Sequence, residues 1–487
     1  MDNDSQLKKR AFTGMLWKLA ERMGAQIVTL LISIILARLL TPDDYSIVSV
    51  VTVFFAFCNV LVVGGFNTAL IQKKDSDEKD YASVLTLSLG ISAVLYAVLF
   101  FAAPWIAQLY EKPLLNPVFR VMGILLIIDA VKAVLYAYVS SQLQFRKFFF
   151  ATLIGTVLSA VVGIVMAMNG MGPWALVAQK MVSSVADTLV LIISSRFRVR
   201  LQMSFSRIKG LFSYGWKIFA ASLISTTYEQ LNPLIIGLRF TTVDLSFYTK
   251  GQSFPLALYY ALDGAFSSVL FPVMSKVQND TTAVLNYTRR FIRTASYVIF
   301  PAMIGFLAVS DSFVRVLLTE QWMGASIYIK IFCLTNMFNI IQNGNLQTIR
   351  AIGRSDIILK LEIIKKTLYF LVILTAVLLA KKPEYLALAM VINTLIAMLV
   401  NTAPNRKLIG YKYRWQLADV LPNLLLSAVM GVVVYAMNYL PVDSDLLKLV
   451  LQMAAGAAVY VLLSLLTRNQ NFGYLLKTVK RYILKRA

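Results

Sequence analysis

The chain has 487 residues, of which 58% are hydrophobic and 15% are charged, and its formal net charge is +23. Soluble proteins hold about 25% charged residues and disordered chains have low hydrophobicity, so this composition excludes both classes. The sequence contains no histidine, which excludes imidazole bases, histidine metal sites and histidine proton relays. The cysteines are Cys58 and Cys333, too few for a disulfide framework or a cysteine-based metal cluster.

Apolar stretches long enough to cross a membrane recur along the whole chain. A transmembrane helix needs roughly 20 mostly apolar residues. The predicted spans of the first half lie at 14–39, 45–66, 82–104, 117–139, 148–168 and 173–195. Those of the second half lie at 211–238, 244–274, 284–309, 324–350, 358–380, 384–403, 416–439 and 446–466. We therefore predict an all-α polytopic membrane protein of about fourteen helices.

Lysine and arginine residues are concentrated in alternate connecting segments. Cytoplasmic loops are enriched in these residues, and the basic segments include the N-terminus, the stretch 196–210 and the tail at 467–487. The intervening segments contribute Lys112, Lys381 and Lys382. This asymmetry predicts that both termini are cytoplasmic and that the number of spans is even. The tail is also amphipathic, which favours contact with anionic membrane lipids.

Two similar sets of residues about 200 positions apart indicate an internal repeat, as in transporters with parallel repeats. The matching segments are Trp17-Lys18 and Thr41-Pro42-Asp43 in the first copy, and Trp216-Lys217 and Thr242-Val243-Asp244 in the second. We predict two pseudo-symmetric six-helix lobes followed by two C-terminal helices. The predicted boundaries are an N-lobe at 1–195, a cytoplasmic basic linker at 196–210, a C-lobe at 211–403, two extra spans at 404–466 and a cytoplasmic tail at 467–487.

Several predicted spans contain ionisable side chains. Each costs at least ~2.5–3.5 kcal/mol on insertion scales, so each needs a structural or functional reason. Cations are candidates for binding an anionic substrate such as a phosphate. The candidates are Lys18, Arg22, Lys180, Lys217 and Lys250. The candidates for coupling transport to an ion gradient are the carboxylates Asp129, Asp187, Glu229 and Asp263. Their presence in both copies favours a polar cavity shared by the two lobes.

A structural interpretation stands beside the functional one for each of these residues. Lys18 and Lys217 lie within two turns of a predicted cytoplasmic end, so their ammonium groups can extend to lipid headgroups, and the same holds for Arg289. Asp129 and Lys132 are three residues apart, which also suits a purely structural ion pair. The sequence leaves both interpretations open.

Short motifs from the first predicted span to the loop between the tenth and eleventh resemble a known family. They are ILARLLTPDDY at 35–45, ALIQKKD at 69–75, GPWALVA at 172–178, LFPVMS at 270–275, QW at 321–322 and AIGR at 351–354. In this order they are similar to the polysaccharide (O-antigen, Wzx-type) flippases of the multidrug/oligosaccharidyl-lipid/polysaccharide exporter superfamily. The last three predicted spans match that family in length and hydropathy.

The resemblance implies fourteen helices, as two six-helix lobes plus two more, in the bacterial cytoplasmic membrane. It implies alternating access that carries a polyprenyl-diphosphate-linked oligosaccharide to the outer leaflet, for the biosynthesis of a cell-surface polysaccharide such as lipopolysaccharide. A polysaccharide polymerase or glycosyltransferases would be its partners. The resemblance assigns no site residues to this chain.

Other functions are compatible with parts of the sequence. A drug or cation antiporter of the same superfamily should have an acidic cavity, whereas cations here match or outnumber carboxylates within the spans. A membrane glycan polymerase or ligase needs a large outer loop, and the longest predicted ones, near 105–116 and 310–323, are short. A scaffold that transports nothing would leave the charged spans unexplained. With no Walker A motif, ATP hydrolysis is not expected, and we predict neither an enzyme nor a cofactor nor a nucleic-acid partner.

Overall fold

The computed structural model describes residues 24, 26, 28–73, 76–195, 197, 201–277 and 280–474. These residues form α-helices joined by short turns, and no β-strand occurs among them. The contacts between residues divide the chain into two compact units, Met1–Ser246 and Phe247–Ala487, called unit 1 and unit 2 below.

The helices of unit 1 follow one another with few intervening residues. They are α1 (Val28–Leu39), α2 (Pro42–Val63), α3 (Phe66–Gln72), α4 (Glu78–Leu109), α5 (Leu115–Ser141), α6 (Phe145–Met168), α7 (Pro173–Ser195) and α8 (Phe205–Arg239). The most connected of them is α5, which packs on α2, α3, α4 and α7. Its residues Val134 and Ala137 are fully buried against Leu70 of α3 and Leu85 of α4.

Unit 2 begins within the first turns of α9 and contains the remaining helices. These are α9 (Thr242–Lys276), α10 (Thr281–Phe313), α11 (Gly324–Ala351), α12 (Ser355–Leu379), α13 (Glu384–Leu408), α14 (Tyr413–Ala436) and α15 (Asp445–Leu466). A π-helical turn, Val314–Leu318, continues α10. The central helices are α10, which packs on α11, α14 and α15, and α11, which also packs on α13.

Nine helical segments of the described residues are long and apolar enough to cross a membrane, and the described part of α1 is a shorter apolar helix. The predicted all-α polytopic class is therefore confirmed, whereas the count of fourteen spans stays a prediction. Helix α8 begins at Phe205, inside the stretch predicted as a linker at 196–210. It packs on α2, α3 and α4 of unit 1, so the contacts divide the chain after α8 rather than before it.

Large apolar side chains cover the outside of several helices. On α4, Val94, Val98, Phe101 and Trp105 are all exposed, and Phe101 and Trp105 are each 72% exposed. Positions separated by three or four residues lie on one side of a helix. An apolar stripe of this length on a protein surface is suited to lipid chains rather than to water, so this side of α4 faces the bilayer.

The turns before α2 and α9 have the same hydrogen bonds. Thr41 caps α2 by accepting from the backbone N–H of Asp44 at 3.2 Å, and the Asp44 carboxylate accepts from the backbone N–H of Thr41 at 2.8 Å. Thr241 and Asp244 repeat both bonds at 3.0 and 3.1 Å. Equivalent positions in the two copies are therefore 200 residues apart. Pairing Thr41 with Thr242, as the sequence suggested, is one residue out of register.

An acidic pair at the start of α4 binds the start of α8. Arg207 donates to the carboxylates of Asp77 and Asp80, the latter at 3.0 Å, and Lys73 donates to Asp80 at 2.6 Å. The hydrogen bond from Arg207 lowers the pKa of Asp77 to about 2. This contact anchors the first turn of α8, which lies inside the predicted linker.

A second cluster fastens α14 to α10 in unit 2. The side chain of Asp419, on α14, is completely buried. It accepts two hydrogen bonds from Arg289 at 2.8 Å, one from Arg293 at 2.6 Å and one from the Tyr411 hydroxyl at 2.9 Å. Arg289 was considered a residue that extends to lipid headgroups, and the structure instead places it in this cluster.

Helix α15 is held to α10 by a pair of tyrosines. The Tyr297 hydroxyl donates to Ser464 at 2.7 Å, and the Tyr460 hydroxyl donates to the backbone carbonyl of Tyr297 at 2.8 Å. Both hydrogen bonds are buried. Together with the Asp419 cluster, they make the last two helices an integral part of unit 2 rather than a loose appendage.

Candidate functional site

The interior of unit 1 contains an ion pair bridged by a hydroxyl group. Asp129 and Lys132, one turn apart on α5, form a salt bridge of 2.8 Å. Ser184 of α7 accepts from the Lys132 ammonium at 3.0 Å and donates to Asp129 at 2.7 Å. The three side chains thus form a closed ring of hydrogen bonds that joins α5 to α7.

Two further charged residues of α7 extend this arrangement. Lys180 donates to the Thr52 hydroxyl of α2 at 2.9 Å, and Asp187 accepts from the Tyr136 hydroxyl of α5 at 3.2 Å. Lys180, Ser184 and Asp187 are spaced by four and three residues, so all of them lie on the side of α7 that faces α5. We call Asp129, Lys132, Lys180, Ser184 and Asp187 the charge network.

The charge network combines charges of both signs in a part of the protein where an isolated charge would be energetically costly. Charged side chains inside a membrane span pair with one another or face a polar cavity. The two lysines and two aspartates have a formal sum of zero at neutral pH. The side chains of Lys132 and Asp129 keep exposed fractions of 26% and 20%, so the protein does not fully enclose them. The lysine ammonium groups can bind phosphate oxygens, and the carboxylates can accept a proton or a cation.

The candidates of unit 2 are separated from one another. Lys250 is 6% exposed and its ammonium lies 5.5 Å from the ring centre of Trp322 and 5.8 Å from that of Phe254. Asp263 accepts a hydrogen bond from Asn343 of α11 at 2.7 Å. Lys250 and Asp263 are thirteen positions apart on α9, which corresponds to about 20 Å along the helix axis. They therefore belong to different local environments.

The other predicted site residues do not join either environment. Lys217 and Glu229 lie on α8, and both are exposed. Lys18 and Arg22 lie outside the described residues. Of the predicted set, the structure brings together Asp129, Lys180 and Asp187, which all belong to the charge network.

Helix α11 has a polar face that was not predicted from the sequence. Its residues are uncharged, and they are Asn336, Asn339, Gln342 and Asn343. Their spacing of three, three and one residues places them on one side of a helix, and four carboxamides within two turns of an apolar span are unusual enough to be noticed. The helical periodicity of uncharged amides would have identified this face.

Helices α5 and α11 carry their polar residues at the same spacing. A cation is followed nine and twelve residues later by polar side chains: Arg120, Asp129 and Lys132 on α5, and Lys330, Asn339 and Gln342 on α11. These helices are the fourth predicted span of each repeat. The second and third of these positions thus hold charged residues in unit 1 and carboxamides in unit 2.

Comparisons with known proteins agree with the architecture. The "Lipid II flippase MurJ, inward closed conformation" matches with a TM-score of 0.73 at 17% sequence identity, over 93% of this chain and 99% of that one. A multidrug resistance MATE family transporter of the MOP superfamily matches with a TM-score of 0.56 at 14% identity, over 81% of this chain and 98% of that one. At these identities the matches concern the fold, and they confirm the predicted fold class.

Relatives of similar length are found among bacterial proteins. "Teichuronic acid biosynthesis protein TuaB" of Bacillus subtilis (strain 168) is 21% identical over 467 residues, 94% of this chain and 95% of that protein. "Lipopolysaccharide biosynthesis protein WzxC" of Escherichia coli (strain K12) is 21% identical over 445 residues, 88% of this chain and 89% of that protein. These names confirm the resemblance drawn from the sequence motifs.

The sequence profile of one family covers more than half of the chain. It is described as "Polysaccharide biosynthesis protein" and matches residues 35–327, from α1 to the start of α11. The matched region includes the whole charge network and the turns that cap α2 and α9. This chain is therefore a member of the family of polysaccharide biosynthesis proteins.

Proposed function

We propose that this protein is a flippase that moves a polyprenyl-diphosphate-linked oligosaccharide from the cytoplasmic to the outer leaflet of the bacterial cytoplasmic membrane. The observation that carries this proposal is the charge network within the membrane-spanning helices of a polysaccharide biosynthesis protein. An oligosaccharide and a diphosphate cannot cross the hydrocarbon core unaided, since desolvating charged and polar groups is costly. The lipid chain can stay in the bilayer while the protein shields the headgroup.

The charge network supports a role in binding the diphosphate. Asp129 and Asp187 balance Lys132 and Lys180, so the charge network has a formal charge of zero. A phosphate oxygen can replace a carboxylate or hydroxyl as the acceptor for either ammonium group, and charge-assisted hydrogen bonds of this kind are about twice as strong as neutral ones. The hydroxyl groups of Ser184 and Thr52 can then form hydrogen bonds with the side chains that the phosphate displaces.

The arrangement of the chain in the membrane completes the proposal. Both termini lie in the cytoplasm, as the distribution of Lys and Arg predicts. An N-lobe at 1–195 and a C-lobe at 211–403 alternate between inward and outward access. The basic tail at 467–487 contacts anionic lipids, and glycosyltransferases or a polymerase act before and after transport. Lys217 and Lys250 remain candidates for substrate contact, and Glu229 and Asp263 for ion coupling.

Reconstitution of the purified full-length chain tests the proposed function. Vesicles are loaded with polyprenyl diphosphate carrying an oligosaccharide, and a membrane-impermeant glycosidase then measures how much of the glycan becomes accessible from outside. We expect the accessible fraction to rise with time when the protein is present and to stay constant in protein-free vesicles. No difference between the two preparations would contradict the proposal.

Replacing Arg22 by alanine is expected to abolish glycan export while the protein still inserts at normal levels. The prediction rests on the sequence: Arg22 lies deep in the first predicted span, four residues from Lys18, and a guanidinium can bind two phosphate oxygens at once. Arg22→Lys should restore export only in part, because a point charge replaces the planar fork. The measurement is surface glycan per cell at matched expression. Full export by Arg22→Ala would contradict a role of this residue in substrate binding and favour the structural interpretation.

A further inference from the structure

A row of hydrogen-bonded carboxamides runs along α11 and reaches α13. Asn401 of α13 donates to Gln342 at 3.4 Å, Gln342 donates to Asn339, and Asn339 donates to Asn336 at 3.1 Å. We call these residues the amide row. Each carboxamide uses its NH₂ group toward one neighbour and its oxygen toward the other, so the row has a direction.

The two ends of the amide row hold polar atoms without a partner. The Nδ2 atom of Asn336 is a buried donor, and the Oδ1 atom of Asn401 is a buried acceptor, and neither makes a hydrogen bond within the described part of the chain. An unsatisfied buried polar atom destabilises a protein and calls for a water molecule or a ligand. The row therefore ends in one buried donor and one buried acceptor that are not used within the described residues.

The middle of the amide row is open, unlike other amides of the same helices. Asn339 and Gln342 are half-buried. In contrast, Asn336 and Asn401 at the ends of the row are buried, as are Asn345 of α11 and Asn405 of α13, which bond to each other at 2.7 Å. Carboxamides facing lipid would lose their hydrogen bonds to water. The open side of the row is thus suited to water or to a polar ligand.

We propose that the amide row binds hydroxyl groups of the transported oligosaccharide, an inference that rests on the proposed flippase function. A sugar hydroxyl donates one hydrogen bond and accepts others, and a carboxamide offers both possibilities. The row itself carries no formal charge, so it has no electrostatic preference for the diphosphate. Asp263, which is bonded to Asn343 on the same side of α11, provides one further acceptor for a hydroxyl group.

A binding experiment with two lipids separates recognition of the sugar from recognition of the diphosphate. The purified full-length protein in detergent is titrated with polyprenyl diphosphate and with the same lipid carrying an oligosaccharide. In the variant Asn339→Leu/Gln342→Met, the Kd of the glycosylated lipid should rise at least about tenfold, as loss of two hydrogen bonds would produce. The Kd of the bare lipid should stay unchanged.

Two controls accompany the titration. Asn169→Leu removes an exposed carboxamide that bonds to its own helix, and it should change neither Kd. The unfolding temperature of each variant shows whether the protein is intact, and the apolar replacements are close in volume to the originals.

The possible outcomes discriminate between the two proposals. Equal weakening of both lipids by the double variant, or no weakening of either, would overturn the amide row as a sugar site while leaving the flippase proposal standing. The same holds if the intact wild-type protein binds both lipids equally well. If the wild-type protein binds neither lipid, the proposed function itself fails, and this inference fails with it.

Discussion

Replacing Asp419 by alanine is expected to lower the free energy of unfolding of unit 2 by roughly 2–3 kcal/mol. Removing one partner of a buried ion pair costs ~3–5 kcal/mol. We expect a smaller loss here because the side chains of Arg289 and Arg293 are 29% and 38% exposed. Both guanidinium groups and the Tyr411 hydroxyl would lose their shared acceptor. The measurement is thermal unfolding in detergent, where a loss of this size corresponds to about 5–10 °C.

The matched control for this prediction is Asp356→Ala. Asp356 also accepts two hydrogen bonds of 2.8 Å from one arginine, Arg354, but both side chains are about half exposed. Exposed ion pairs contribute ~0–1 kcal/mol, so this variant should unfold close to the wild-type temperature. Equal shifts in the two variants would show that burial of Asp419 does not determine its contribution.

The variant Lys180→Met is expected to reduce glycan export at least ~10-fold. This factor corresponds to about 1.5 kcal/mol, the lower end of the loss for a hydrogen bond that involves a charged group. The substitution removes a cation that a diphosphate can bind and leaves the charge network with an excess negative charge, which repels the substrate. The measurement is surface glycan in cells that lack the natural exporter, normalised to the amount of protein in the membrane.

Two further variants separate binding from folding in this experiment. Lys112→Met removes a lysine that pairs with Asp43 outside the network, and export should be unchanged. Lys180→Met/Asp129→Asn restores the balance of charge. If Lys180 serves only to compensate Asp129, the double variant will recover export as well as protein amount. We expect protein amount to recover and export to stay low.

The helical architecture could be predicted from the sequence because hydropathy and loop charge are properties of single segments. The start of α8 could not, since Phe205–Gly210 is held by the contact of Arg207 with Asp77 and Asp80, more than 120 residues earlier in the chain. In the same way, the register of the repeat became certain only from hydrogen bonds, which pair Asp44 with Asp244.

The candidate site was predicted in part for a related reason. Charge within an apolar span is conspicuous, so Asp129, Lys180 and Asp187 could be selected without a structure. Sequence does not reveal which charges meet, and Glu229 proved to be exposed on α8. The amide row was missed because its members are uncharged and because its last residue, Asn401, comes from another helix.

The neutrality of the charge network has a consequence for the energy source of transport. The membrane potential, negative on the cytoplasmic side, acts on every charge that crosses it with about 2.3 kcal/mol per 100 mV. Because the network's lysines and aspartates cancel, their movement together would transfer no charge. The diphosphate would then carry its own negative charge outward, down the electrical gradient. A flippase built in this way can draw on the membrane voltage through the charge of its substrate, whether or not Glu229 or Asp263 couples transport to an ion.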